Sequence, residues 1–131
     1  GLRFILHNKK IPIFIASGSG IAPFLSMSKY LNEKRISYFT YHWSRNITGL
    51  VNFKENETNI NISYFPFITR EIPIEWQGGT DRIQEENFNN LDINQSYEIY
   101  ICGSDSFVEN ALSIASNLNL DCEIFTERFG S

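Results

Sequence analysis

Ile11-Pro-Ile-Phe-Ile-Ala-Ser-Gly-Ser-Gly-Ile-Ala-Pro-Phe24 is the stretch that decides the fold. Residues 11–16 are nearly continuous in apolar side chains, as a strand buried on both faces requires. Gly18-Ser-Gly20 then turns the chain. Pro23 suits the first turn of a helix, where its missing N–H leaves no bond unmade. Phe24, Leu25, Ser28 and Leu31 fall on one face of that helix. A strand, a glycine turn and a helix in direct succession open a βαβ unit.

The rest of the chain repeats the alternation. Ile36-Ser-Tyr-Phe-Thr-Tyr-His42, Ile60-Asn-Ile-Ser-Tyr-Phe-Pro-Phe-Ile68 and Tyr97-Glu-Ile-Tyr-Ile-Cys102 read as strands, and Asp121-Cys-Glu-Ile-Phe125 as a weaker one. They are short, rich in isoleucine and aromatics, and bounded by turn residues. Val108, Ala111, Leu112, Ala115 and Leu118 form a helical stripe, and Ser106-Phe-Val-Glu109 ahead of it fits a capping box. Residues 47–55 have room for a short helix, and residues 81–91 match neither period. Strands alternating with helices give an α/β, three-layer sandwich: a five-stranded parallel sheet with helices on both faces, in a single domain.

Composition bounds the function. With 131 residues the chain has room for one core but not for two domains. It is 42% hydrophobic, 15% aromatic and 20% charged, which excludes disorder. A net charge of −4 gives no broad positive field for a nucleic-acid backbone. No apolar run approaches the roughly 20 residues of a membrane span. Gly1-Leu-Arg-Phe-Ile-Leu-His7 lacks the layout of a secretory leader, and two cysteines make no disulfide framework. A reduced, cytoplasmic protein is the expectation. His7 and His42 have no third partner at metal-ligand spacing, so no metal site is expected.

In parallel sheets ligands bind beyond the C-terminal strand ends. After the first strand, the Gly18–Gly20 turn can bring backbone amides close to a phosphate, because no Cβ blocks the approach. It is equally the form of an ordinary strand-to-helix turn, and G-x-G-x-x-G is not met because Pro23 stands at the last position. After the second strand comes His42-Trp-Ser-Arg-Asn46, with Arg45 and no acid; an acid there would favour an unphosphorylated ribose. After the third comes Thr69-Arg-Glu71. Arg45 and Arg70 at one edge are either solvated cations or phosphate ligands. Cys102 ends the fourth strand ahead of a helix, either as a packing residue or facing the site. Cys122 reads as plain packing. Phe129 is a stacking group or a frayed end.

Taken in order, these pieces resemble the C-terminal nucleotide-binding domain of the ferredoxin–NAD(P)+ reductase family. Ala16-Ser-Gly-Ser-Gly-Ile-Ala-Pro-Phe24 is similar to its G-T-G-[IV]-A-P-F segment, with Ser19 for the usual Thr. His42-Trp-Ser-Arg-Asn46 resembles the H-x-x-R-N of the flavohaemoglobin and oxygenase-reductase branch, and Thr69-Arg-Glu71 the [ST]-R-E of NADP-using members. Tyr100-Ile-Cys-Gly-Ser104 resembles Y-[IV]-C-G-[PS], and Thr126-Glu-Arg-Phe-Gly130 the E-x-F-G ending.

The resemblance implies roles. Gly18, Ser19, Gly20 and Ile21, ahead of Pro23, would hold the pyrophosphate and the nicotinamide side. Cys102 and Gly103 would line the nicotinamide, Glu127 would hydrogen-bond near the transfer point, and Phe129 would cover a flavin face. Arg45, Thr69 and Arg70 would contact the adenosine end, with Arg70 foremost for a 2′-phosphate. NADP(H) is thereby favoured over NAD(H), and FAD is implied in the intact protein. Gly1-Leu-Arg-Phe-Ile-Leu6 resembles the end of the family's flavin-binding barrel, so residues 1–8 read as its remnant and residues 9–131 as the NAD(P)-binding domain. The barrel's own Arg-x-Tyr-Ser segment is absent, and the chain alone is expected not to turn over.

The reading is then a domain that positions nicotinamide for hydride transfer to a flavin on a separate domain of the same protein. Electrons would pass to a ferredoxin, flavodoxin, oxygenase or iron-sulfur domain. The alternatives are a non-enzymatic nucleotide-sensing or partner-docking module, and a flavodoxin-like mononucleotide binder using Gly18–Gly20.

Overall fold

A computed structural model of the chain describes residues 10–50 and 62–129. The stretch read as a barrel remnant, residues 1–8, lies outside them, as does most of the expected helix at residues 47–55.

Five strands and two helices follow in the order β1 (Ile11–Ser17), α1 (Ala22–Glu33), β2 (Tyr38–Asn46), β3 (Ile62–Glu71), β4 (Ser96–Gly103), α2 (Asp105–Asn117) and β5 (Asp121–Arg128). Every pairing is parallel, in the order β3-β2-β1-β4-β5. The α/β expectation therefore holds, with the helices on opposite faces. Alternate residues of β1 show this directly. Ile13 and Ile15 pack with Val108, Ala111 and Ala115 of α2, while Phe14 and Ala16 pack with Phe24, Met27 and Leu31 of α1. Phe14 and Phe24 stack with their centroids 4.7 Å apart.

Strand order reverses at β1, where the chain leaves through α1 toward β2 on one side and later returns as β4 on the other. The crevice at such a reversal is where open α/β sheets bind ligands.

Several local expectations are corrected. β2 begins at Tyr38, later than residue 36, and runs on to Asn46, so Arg45 lies on the strand rather than after it. β3 carries Thr69 and Arg70 within it, and β5 continues through Glu127. Pairing with the neighbouring strand keeps these polar ends extended where local propensity predicts loops. Leu25 is exposed and Met27 takes its place in the core, because the buried arc of α1 is centred on Phe24, Met27, Ser28 and Leu31. α2 starts two residues earlier than the Ser106 capping box: Ser104 is the N-cap, with an extended backbone and a side chain that accepts from the Phe107 amide. Leu118 closes that helix rather than lying inside it, yet still packs on the core.

A register shift between Ser44 and Asn46 gives β3 one residue more than β2 opposite Thr69 and Arg70. Such a bulge re-aims the side chains beside it. The outer edge of β3 is covered by the segment that follows. The Ile68 amide donates to the Gly79 carbonyl at 3.0 Å, and the Gly79 amide to the Pro66 carbonyl at 3.1 Å. Residues 81–91, which had matched neither period, form a 3-10 turn at Glu85–Phe88, pinned by buried Ile83, Phe88 and Leu91. Among the described residues, no helix is long and apolar enough to cross a membrane.

Candidate functional site

The turn after β1 is a short 3-10 helix, Gly18–Ile21. Gly18 sits at φ +52°, a left-handed conformation that favours glycine. Gly20 is required for a different reason. A Cβ there would collide with the Cys102 carbonyl oxygen and lie 2.7 Å from its carbon. The turn is thus pressed against the end of β4, and Gly20 and Ile21 are buried beneath it. Gly103 is equally confined, since a Cβ would meet Ser17 Oγ and approach Phe107 Cδ2 to 2.9 Å.

On the α2 side of this turn opens a cleft of about 700 Å³ at the C-terminal ends of β1, β2 and β3. Gly18, Ser19, Arg45, Thr69 and Phe129 line it, five of the residues chosen from sequence. Arg82 lines it as well, and sequence reasoning had missed it. Among the described residues, two guanidiniums and no carboxylate border the cleft of a chain whose net charge is −4. Such a local field favours an anion.

Arg82 reaches the cleft through two distant contacts. Gly79 is bridged to Phe67 on β3, and Trp43 Nε1 donates to the Asp81 carbonyl at 3.0 Å. Trp43 is itself stacked on Phe67 with centroids 4.1 Å apart. Gly78-Gly79 ahead of Arg82 was the available signal: a glycine pair in a loop marks a close backbone approach.

The remaining candidates lie elsewhere. Arg70 is exposed and does not line the cleft. Pro23 is the second residue of α1. The Cys102 side chain is buried on the α1 face with Phe14, Ala16 and Ile21. Glu127 stands opposite it in register on β5, with one carboxylate oxygen, Oε2, buried and without a hydrogen-bond partner. Phe129 is 54% exposed, and its amide donates to the Gly103 carbonyl at 3.2 Å. The candidates therefore form two groups on opposite faces of the sheet edge, with the Gly18–Ile21 turn between them.

Burial, and after it the Glu127 carboxylate, pushes the Cys102 thiol up to about 11, so at neutral pH it is a neutral thiol and no nucleophile. His42 is fully buried on β2, with Nε2 2.9 Å from the Gly18 carbonyl oxygen; burial lowers its pKa, and the bond to Gly18 opposes this in part.

Both shifts set the pH dependence of folding. A histidine whose pKa is lower in the folded than in the unfolded state contributes stability that is complete above the unfolded value, 6.5, and is lost as pH falls. A thiol raised from 9.0 to about 11 contributes stability that is complete below 9.0 and is lost as pH rises, on the order of 2–3 kcal/mol. Urea midpoints across pH are expected to form a plateau with both flanks falling. Cys102→Ala should lessen the alkaline loss, leaving the part that belongs to Tyr41 and Tyr64, whose hydroxyls burial pushes up to about 12; an unchanged flank would remove the thiol from this account.

Comparison with known proteins agrees with this architecture. Residues 14–112 match the family model of the oxidoreductase NAD-binding domain. The anthranilate 1,2-dioxygenase electron transfer component of Acinetobacter baylyi is 29% identical over 134 residues, covering 96% of this chain and 39% of its own length. Protein RfbI of Salmonella typhimurium is 25% identical, covering 95% of this chain and again 39% of its own. The chain thus spans well under half the length of these curated relatives. Among solved structures, the flavohaem-like FAD/NAD-binding domain of nitric oxide dioxygenase from Vibrio cholerae superposes with a TM-score of 0.79 at 18% identity, covering all of this chain and 56% of that one. Ferredoxin-NADP+ reductase from Plasmodium falciparum gives 0.63 at 20% identity, covering 92% and 52%. At such identities these two likenesses speak to the fold alone. The family match runs unbroken from within β1, through the glycine turn, and into α2, and on that ground the chain belongs to the oxidoreductase NAD-binding domain family.

Proposed function

We propose that this chain is the pyridine-nucleotide lobe of a flavin-dependent NAD(P)H oxidoreductase, with the flavin held by a separate domain of the same protein. The observation that carries the reading is the Gly18–Ile21 turn. It is pressed so closely onto β4 that only hydrogen fits at Gly20, and it opens on a cleft bordered, among the described residues, by two arginines and no acid. A bound nucleotide would supply a hydride to the flavin.

The chain's own residues bind and orient. Gly18 and Ser19 border the place proposed for the diphosphate, where backbone can approach without Cβ interference. Cys102, as a neutral thiol, and Glu127 bound the nicotinamide end. Phe129, half exposed at the end of β5, offers a ring to the flavin. Residues 1–8 are proposed as the last stretch of the flavin domain, on the likeness of Gly1-Leu-Arg-Phe-Ile-Leu6. The electron acceptor is proposed only as a class: a ferredoxin, flavodoxin, oxygenase or iron-sulfur domain.

NADP(H) is the preferred nucleotide. Its extra phosphate is assigned to Arg45 and Arg82, which line the cleft, ahead of Arg70, which does not. Calorimetric titration with NADP+ and NAD+ tests both points. Wild type is expected to bind NADP+ more tightly. Arg45→Ala and Arg82→Ala should each weaken NADP+ by about tenfold or more, the worth of a charge-assisted hydrogen bond, and leave NAD+ little changed. Arg70→Ala should do less. Binding of neither nucleotide at millimolar concentration would overturn the function, while an effect confined to Arg70→Ala would overturn the assignment.

A further inference from the structure

His42 has no exposed surface. Its Nε2 lies 2.9 Å from the Gly18 carbonyl oxygen, and its Nδ1 is buried with no hydrogen-bond partner among the described residues. A carbonyl can only accept, so the proton must sit on Nε2. The ring is then held as a neutral Nε2–H tautomer with a bare Nδ1 in the interior. Leaving a buried polar atom unpaired is costly. Threonine would fill the same strand position with fewer polar atoms to satisfy, but its hydroxyl does not reach as far as an imidazole Nε2.

The bond ends on the turn's left-handed glycine. Gly18 is at φ +52°, outside the range its neighbours favour, and it is exposed at the lip of the cleft. Its carbonyl is tied inward to a fully buried ring. Were that peptide to rotate, the carbonyl's negative end would enter the arginine-lined cleft. There it would oppose an anion, and the Ser19 amide, which shares the same peptide plane and points the opposite way, would turn away from it.

We propose that His42 is a positioning residue: through Nε2–H···O=C it locks the Gly18 peptide so that the turn presents donors, not an acceptor, to the anionic part of the ligand. For its ligand the inference rests on the pyridine-nucleotide reading. The lock itself does not depend on it.

The tautomer and the lock are read first on the full chain without ligand. Long-range ¹H–¹⁵N spectra at neutral pH should show His42 protonated on Nε2 only. His42→Phe keeps the ring's bulk and removes the donor, so the Ser19 and Gly20 amide resonances should move. His42→Gln places an N–H donor near the Nε2 position, so they should return toward wild type. With NADP+, His42→Phe should raise the dissociation constant at least tenfold and His42→Gln by less than threefold. A purely structural role would not be rescued by glutamine in this way. If His42→Phe does not fold, His42→Asn, whose amide is too short to reach Gly18, takes its place.

Protonation on Nδ1 would overturn the inference, as would a folded donor-less variant whose turn amides and NADP+ affinity match wild type. If wild type binds neither nucleotide, the function fails, and the ligand-free tautomer and amide positions still decide for or against the lock.

Discussion

Gly20→Ala is expected to cost about 2 kcal/mol of stability and to weaken both NADP+ and NAD+ more than tenfold. The added methyl would collide with the Cys102 carbonyl, which is backbone at the end of β4, paired to β1 on one side and β5 on the other, and has little freedom to give way. The turn must therefore lift off β4, and everything it presents to the cleft moves with it. Because the damage is to the turn rather than to a contact with one ligand group, the two nucleotides should suffer alike. Gly18→Ala is the control. Nothing lies within 4 Å of a Cβ at that position, so its penalty is the left-handed backbone alone. That is a cost of about 1 kcal/mol. Urea denaturation and calorimetry on the two variants separate these cases. A Gly20→Ala chain that binds nucleotide as tightly as wild type would show that the turn is not the binding element.

Trp43→Ala should be the most damaging single truncation near the cleft, at about 3–5 kcal/mol. The indole is 5% exposed, lies flat on Phe67 at 4.1 Å and meets the Phe107 ring at 5.9 Å. Its removal leaves a cavity between β2, β3 and the start of α2. It also releases the Asp81 carbonyl, and with it the anchor that holds Arg82 over the cleft. A second signature follows. At concentrations where the variant is folded, it should lose NADP+ affinity more than NAD+ affinity. Trp43→Phe keeps part of the stacking and loses the N–H, so it should cost less in stability yet share the shift in nucleotide preference. A loss below about 1 kcal/mol for Trp43→Ala would contradict the packing described.

The elements were legible where their signal is local. Residues 11–24 carry a strand period, a glycine turn and a proline at the helix start within one short stretch, and the structure forms all three there. Val108, Ala111 and Ala115 are a stripe because one helical face must be buried, and all three are buried. Boundaries were less legible. Ser104 and Ser106 are both good caps, and the choice falls to whichever has the extended backbone as the chain leaves β4. Arg45, Thr69 and Glu127 read as loop residues because their polarity says nothing of the neighbouring strand that keeps them extended.

The site divides in the same way. Gly18, Ser19 and Gly20 could be picked out because a glycine turn between a strand and a helix lets backbone approach a phosphate, and Gly103 only through the family resemblance. Arg82 could not. It is brought in by the Gly79–Phe67 bridge and the Trp43–Asp81 hydrogen bond, each linking segments more than ten residues apart. The resemblance put Arg70 ahead of Arg45 for a 2′-phosphate, but the extra residue of β3 between the pairs at Ser44 and Asn46 leaves Thr69 in the cleft and Arg70 outside it. Cys102 looked like a neighbour of the glycine turn, as it is, but its side chain points to the α1 face.

The sequence by itself determined a parallel α/β sheet, its order of strands and helices along the chain, and the place of its glycine turn. Periodicity and glycine placement record what each short segment must bury or let approach. Only the tertiary structure decided which side chains share the cleft and which way the Gly18 carbonyl faces. A strand side chain changes face with a one-residue shift of register, and the contacts that fix the register are made by residues far away in the chain.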